Sequence, residues 1–168
     1  MSKVCGMGYG VPPVLRVDRA NQYRSIETSQ AMVDTFFFGV TNGTFVELGG
    51  FNGVWMSNTK MLEDAFGWRG VLIEANPEQY KFLKVNRPRA VVVNAPVGNF
   101  TRVRLVGSGG SVSVKKGGTS GALALPLDTI LKGVGVRRID FLSLDVEGYE
   151  LHILRTLSIP VSVLMVRS

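Results

Sequence analysis

The most constraining stretch of the chain is Glu47-Leu48-Gly49-Gly50-Phe51-Asn52-Gly53, which closes the apolar run Thr44–Leu48 and leads into an amphipathic segment. Glycines placed between a strand and a helix let the backbone turn sharply and pass close to a bound molecule. A purely structural turn also favours glycine, so the loop alone does not specify a ligand. A second acid narrows the reading. Glu74 ends the next apolar run, Gly70–Glu74, where a Rossmann-type sheet uses an acid to accept hydrogen bonds from the two hydroxyls of a ribose. Two acids that each end a strand, with a glycine loop between them, favour a nucleotide-like ligand over a pair of solvated strand ends.

Short apolar runs then alternate with amphipathic stretches, which predicts βα units and a mostly parallel α/β sheet with flanking helices. Residues 57–66 carry Met61, Leu62, Ala65 and Phe66 at helical spacing, with Gly67 at the C-cap position. Asn76 and Pro77 suit the N-cap and first turn of a helix whose apolar face is Tyr80, Phe82 and Leu83. Ala90–Asn94 reads as the third strand, Ile139–Leu144 as the fourth and Pro160–Val166 as the fifth. Between them, Val103–Val106 and Ser111–Val114 read as an antiparallel hairpin with its tip at Gly107, Gly109 and Gly110. Short helices are expected at Leu127–Leu131 and from Gly148 to about Leu157. A helix over residues 21–40 would turn Ala31, Met32 and Phe36–Phe38 toward the sheet. The expected organisation is an irregular N-terminal arm, residues 1–20, followed by one domain over residues 21–168.

Composition agrees with one packed domain: 168 residues, 45% of them apolar, can bury a sizeable core. The net charge of +6 would attract nucleic acid, anionic lipid or an acidic substrate. Its basic residues occur as scattered pairs, Arg87 with Arg89, Arg102 with Arg104, Lys115 with Lys116 and Arg137 with Arg138. Such pairs read as a solvated surface rather than a nucleic-acid footprint, and no aromatic-rich basic stripe accompanies them. The lone Cys5 excludes an internal disulfide and suits a reducing, cytoplasmic compartment. No secretory leader is visible, and the apolar runs are too short to span a bilayer.

The nucleotide class follows from what the loop lacks. There is no Gly-Lys-Ser/Thr tripeptide for a P-loop, and Gly49–Gly53 does not fit G-x-G-x-x-G. Its E-x-G-x-x-x-G pattern resembles instead the first motif of class I methyltransferases. More specifically, Phe45–Gly53 with Ser57-Asn58-Thr59, the segment Gly67–Pro77, Asn94-Ala95 with Val97-Gly98, Pro126–Leu131 and Asp140–Glu150 resemble the FkbM family of O-methyltransferases. The resemblance covers about residues 24–166.

That resemblance implies a Rossmann-like domain that binds S-adenosylmethionine and methylates a hydroxyl of a sugar, glycan or other small molecule. Carried over by position, Glu47, Gly49, Gly50, Phe51, Asn52 and Gly53 would meet the methionine end, and Glu74 the ribose. Ala75, Asn76, Asn94 and Ala95 would line the adenosine pocket, and Asp145 and Glu147 would stand at the reacting centre. Methyl transfer needs the acceptor held in line and its proton removed. Asp145 could be that base or hold a divalent cation, although no ligand cluster supports a metal, and either acid could instead cap the following helix. His152 reads as a packed or exposed helix residue rather than a general base, Tyr149 as bordering the substrate or packing in the core, and Trp68 as core.

The complete fold of the resembled class has seven strands, and the expected five would leave the last two missing and a sheet edge open to oligomerisation. A degenerate methyltransferase fold that binds cofactor or a partner without turnover is therefore a second expectation. An RNA methyltransferase is a third, although no Lys-Asp-Lys-Glu set is found.

Overall fold

A computed structural model describes residues 33–37, 39–108, 111–117, 121–146 and 148–166. The expected N-terminal arm with Cys5, the first part of the expected leading helix with Ala31 and Met32, Phe38, and the hairpin-tip glycines Gly109 and Gly110 lie outside the described residues.

Five strands, β1 (Thr44–Leu48), β2 (Arg69–Glu74), β3 (Val91–Asn94), β7 (Ile139–Leu144) and β8 (Val161–Val166), form a parallel sheet in the order β3-β2-β1-β7-β8. The chain builds outward from β1 through β2 to β3, then returns to place β7 on the other side of β1. Neighbouring strands therefore diverge from the β1/β7 junction, the point at which such sheets open a ligand crevice beyond their C-terminal ends.

Alternation along each strand sorts the core into two layers. Val46, Leu48, Val71, Ile73, Leu142 and Leu144 pack with Leu127 and Leu131 of α3 (Leu127–Gly133) and Ile153 of α4 (Glu150–Leu154). Phe45, Leu72 and Phe141 point the other way, against Met61 and Leu62 of α1 (Lys60–Phe66) and Leu83 of α2 (Pro77–Asn86). Burial on both faces explains why the strands read as continuous apolar runs. Each fully buried Leu or Phe contributes about 1.5–3 kcal/mol of transfer free energy.

Several expected boundaries hold. Gly67 ends α1 in the left-handed region at φ 68°, and the Asn76 side chain caps α2 by accepting the Glu78 amide. Trp68 is buried, donates from Nε1 to the Val40 carbonyl at 2.8 Å and meets Phe37 edge-on with ring centroids 4.7 Å apart. Gly43 leaves room for it, since a Cβ there would lie 2.7 Å from the indole.

Other expectations are corrected. α1 starts at Lys60 rather than Ser57, because Ser57, Asn58 and Thr59 are held in a buried turn by Glu47. The expected helix over residues 21–40 shows, among the described residues, one π-helical turn at Val33–Phe37, in which Phe37 packs inward while Phe36 is exposed. Phe82 is also exposed, and Leu83 alone of the expected apolar face of α2 is fully buried. α4 is shorter than expected. The hairpin β4 (Thr101–Ser108) and β5 (Ser111–Lys116) is joined by a short β6 (Ala122–Ala124) into a second sheet of order β5-β4-β6.

One polar clamp ties α3 to the connection between α4 and β8. Asp128 accepts the Ser158 amide at 2.8 Å and the Ser158 hydroxyl, and pairs with Lys132 at 2.9 Å. Burial of the carboxyl would raise its proton affinity, but the Ser158 and Lys132 contacts outweigh that and lower the pKa from 3.8 to about 2. A lowered carboxylate pKa contributes stability that is complete above the unfolded value and lost as pH falls toward the folded one. Asp128→Asn should therefore cost about 1 kcal/mol at pH 7, a value discounted for its partial exposure, and almost nothing near pH 2. Urea denaturation at the two pH values measures this, and an equal loss at both would refute the clamp's charge dependence.

Candidate cofactor site at the C-terminal edge of the sheet

The ends of β1, β2, β3 and β7 bring Gly49, Glu74, Asn94 and Asp145 to one edge of the parallel sheet. The ladder runs one residue past the strands, with Gly49 N–H donating to Ile73 O and Asp145 N–H to Leu48 O, each at 3.2 Å. Gly49 lies at the β1/β7 junction with φ 78°, and a Cβ there would sit 1.9 Å from the Asp145 carbonyl oxygen. Only glycine fits this position, for both conformational and steric reasons.

Beyond Gly49 the loop is held from within. The Gly53 amide closes a turn onto the Gly50 carbonyl at 2.8 Å, with Phe51 at φ 49°. The Asn52 side-chain oxygen accepts the amides of Val54 (3.0 Å) and Trp55 (2.8 Å), while Asn86 donates to the Asn52 carbonyl at 2.8 Å. Asn52 thus shapes the loop.

Glu74 is buried at the end of β2 and accepts the amides of Asn76 (2.8 Å), Phe51 and Ala75. Burial raises its pKa above 4.5, and the three amide bonds only partly offset that. A carboxylate has about four acceptor positions, so three donors leave capacity for a ligand hydroxyl. Asn94 fastens the β2 end to β3 by donating to the carbonyls of Glu74 (2.7 Å) and Ala75 (3.3 Å). Ala75, Asn76 and Ala95 are half-buried beside these bonds, and Ala95 packs against the core.

Glu47 stands elsewhere. Strand alternation turns its side chain toward α1 and α2, where it is 2% exposed. It accepts Ser57 Oγ (2.8 Å), the Asn58 amide (2.7 Å) and Thr59 Oγ1 (2.6 Å). Beside it lies Arg87, 0% exposed, a basic residue that the sequence had placed on a solvated surface. Its guanidinium donates to Glu63 (2.6 Å), Ser57 Oγ (2.9 Å), Thr59 Oγ1 (3.0 Å) and the Gly53 carbonyl (3.1 Å), and lies 3.8 Å from Glu47. Gly53 sits tightly over it, since a Cβ would come within 2.8 Å of Arg87 Cγ. Sequence reasoning missed this group, although three consecutive small polar residues ten positions after a strand acid were the available signal.

Asp145 is half-buried, directly after β7. Glu147 lies outside the described residues. α4 has no side-chain cap, and Glu150 in its first turn accepts the amides of Val146 and Gly148 at 3.2 Å each, which fastens the preceding loop to the helix. His152 is exposed and stacks on Tyr149, with centroids 4.5 Å apart. Among the described residues, no group of three or more His, Cys, Asp or Glu is placed to hold a metal ion, and no helix is long and apolar enough to cross a membrane.

A parallel sheet whose strand order reverses beside a glycine loop, with a buried acid ending the next strand, defines a Rossmann-like α/β domain. The family model described as the methyltransferase FkbM domain matches residues 47–164, and the chain belongs to that family. No curated protein matches. Among solved structures, the chain is similar to a putative sarcosine dimethylglycine methyltransferase from Galdieria sulphuraria, at 12% identity and a TM-score of 0.39. That similarity covers 71% of this chain and 35% of the other, so the chain spans about a third of that protein's length.

Two outcomes follow from the buried charges. Arg87→Met should cost about 3–5 kcal/mol by leaving Glu63 and Glu47 uncompensated. Arg89→Met, whose half-exposed side chain also pairs with Glu63 at 3.3 Å, should cost less than about 1 kcal/mol. Chemical denaturation of both variants checks this, and similar losses would refute the network's primacy. For Glu74, a pKa raised in the folded state means the fold holds a proton that the unfolded chain releases. Stability should fall as pH rises from 4.5 through the raised value, and Glu74→Gln should flatten that slope.

Proposed function

We propose that the chain binds S-adenosylmethionine in the crevice beyond β1, β2 and β7 and transfers its methyl group to a hydroxyl oxygen of a sugar or glycan. The observation that carries this reading is Glu74, a buried carboxylate with unused acceptor capacity at the end of β2, facing the bare backbone of the glycine loop. Membership of the FkbM methyltransferase domain family supports the methyl-transfer part.

The residues present fit this cofactor. It carries no phosphate, and the amides of Gly49, Phe51 and Gly53 are directed to Ile73, Glu74 and Gly50 rather than toward an anion. S-adenosylmethionine supplies an electrophilic methyl group on a sulfonium, whose C–S bonding pair stays with sulfur as the acceptor oxygen forms the new O–C bond. In this reading Glu74 holds the ribose hydroxyls, and Gly49, Gly50 and Phe51 let the methionine portion pass along the loop. Ala75, Asn76, Asn94 and Ala95 border the adenine side. Asp145, at the junction beside Gly49, is the candidate to take the acceptor proton. Glu47 and Asn52 enter as anchors of the loop, because their carboxylate and amide oxygens are engaged internally. The single cysteine accords with a reducing, cytoplasmic setting.

Calorimetric titration with S-adenosylmethionine and S-adenosylhomocysteine tests the reading. Binding in the micromolar range is expected, rising in affinity as pH increases and Glu74 ionises, and falling by about tenfold or more in Glu74→Ala, the cost of a lost hydrogen bond to a charged group. A folded chain that takes up neither compound would remove the enzyme reading.

A further inference from the structure

The chain's positive charge is less scattered than its sequence suggests. Between Glu78 and Asp128 there is no acidic residue at all. Within that span Lys81 pairs with Glu78, and Arg87 and Arg89 pair with Glu63, so these cations are compensated. Lys84 sits over the Tyr80 ring, and the others, Arg102, Arg104, Lys115 and Lys116, belong to the three-stranded sheet, which contributes no acid of its own.

Strand register gathers three of them on one surface. Arg104 pairs directly with Lys115 across β4 and β5, and Arg102 pairs with Leu123 across β4 and β6. Arg102, Arg104 and Val106 share a face by alternation, opposite the face that buries Val103. Like charges placed opposite one another destabilise a sheet, so the fold carries a repulsion that an anionic partner would relieve. The Arg102 guanidinium donates to the Gly121 carbonyl at 2.8 Å, which fixes the group without neutralising it. Val106 and Leu123 are 44% and 46% exposed on the same surface.

We propose that this face docks on an anionic lipid surface. A bilayer interface asks for diffuse positive charge together with aliphatic side chains that can enter the headgroup layer, and this face supplies both. Single-stranded nucleic acid is gripped by aromatic stacking, and Arg102, Arg104, Val106, Lys115 and Leu123 include no aromatic ring. An acidic polysaccharide presents hydroxyls along with its charges, and those five residues offer no side-chain acceptor for them. The sheet is rooted beside the crevice: Gly98 lies against Ala124, and a Cβ there would be 3.7 Å from Tyr149, four residues after Asp145. The surface itself does not depend on methyl transfer, so its test needs no cofactor.

The test is co-sedimentation of the full chain with vesicles of phosphatidylcholine alone and of phosphatidylcholine mixed with phosphatidylserine. Binding is expected to the mixed vesicles only, and to weaken with salt. Removing two surface cations in Arg104→Ala/Lys115→Ala should lower the partition coefficient roughly 25-fold, at about fivefold for each charge. Val106→Ser/Leu123→Ser should weaken the binding that persists at high salt. Arg137→Ala/Arg138→Ala removes the same charge ahead of β7 and should leave partition within about twofold of the unaltered chain if the face, not net charge, is responsible. Circular dichroism of each variant separates lost binding from lost folding. The proposal is overturned by absent binding to the mixed vesicles, by equal losses from the two double charge variants, or by displacement of the chain onto polyuridylate or heparin in their presence.

Discussion

The guanidinium of Arg87, with no exposure to solvent, is the centre on which the C-terminal edge of the parallel sheet depends. Desolvating a full positive charge is costly, and the position is stable only because Glu63 pairs with it, Glu47 lies close by, and Ser57, Thr59 and the Gly53 carbonyl take up its hydrogens. The same contacts join elements far apart in sequence. Glu47 is on β1, Glu63 on α1, Arg87 directly after α2, and Gly53 in the loop. A hydrophobic cluster of equal volume would hold the layer together, but it could not fix the loop's carbonyl and the Ser57–Thr59 turn in one arrangement.

The glycine loop inherits its shape from that network. Gly53 is held over Arg87, and Asn52 organises the turn ahead of α1. Gly49 is threaded against the Asp145 carbonyl, where no side chain fits. With the loop set in this way, the Phe51 amide reaches Glu74 and fixes one side of its carboxylate. The buried acid then keeps a raised proton affinity, because its desolvation outweighs the three amide bonds it accepts. Membership of the FkbM methyltransferase domain family gives this geometry its chemical sense.

The second sheet stands apart from this economy of paired charges. Arg87 in the buried layer meets an acid, whereas β4 and β5 set Arg104 against Lys115 on an exposed face. That contrast lies within one stretch of sequence without acids, and tertiary pairing alone separates its two halves.

Much of the fold was legible because its determinants are local. Apolar runs bounded by glycine, asparagine and proline located the five parallel strands to within a residue or two, and Gly67 and Asn76 announced the helix ends that the structure shows. The acid at the end of β2 and the glycine at the sheet's turning point were likewise visible, since strand ends and positive-φ positions leave their mark on residue type. The placement of Glu47 was not legible. Its motif suggested an acid at the ligand, but strand parity turned it into the layer beneath α1 and α2. Nor could residue type reveal that Arg87 is buried while Arg89 is half-exposed, because both sit after the same helix and differ only in what long-range packing brings to them. The small strand β6 is too short to show a pattern and exists by pairing with β4. By itself the sequence determined the α/β alternation, the glycine loop and the acid beyond it, since these follow from backbone sterics and local hydrophobic period. Tertiary structure alone decided which charges are buried and which cations share a face, because those outcomes depend on partners brought together from distant parts of the chain.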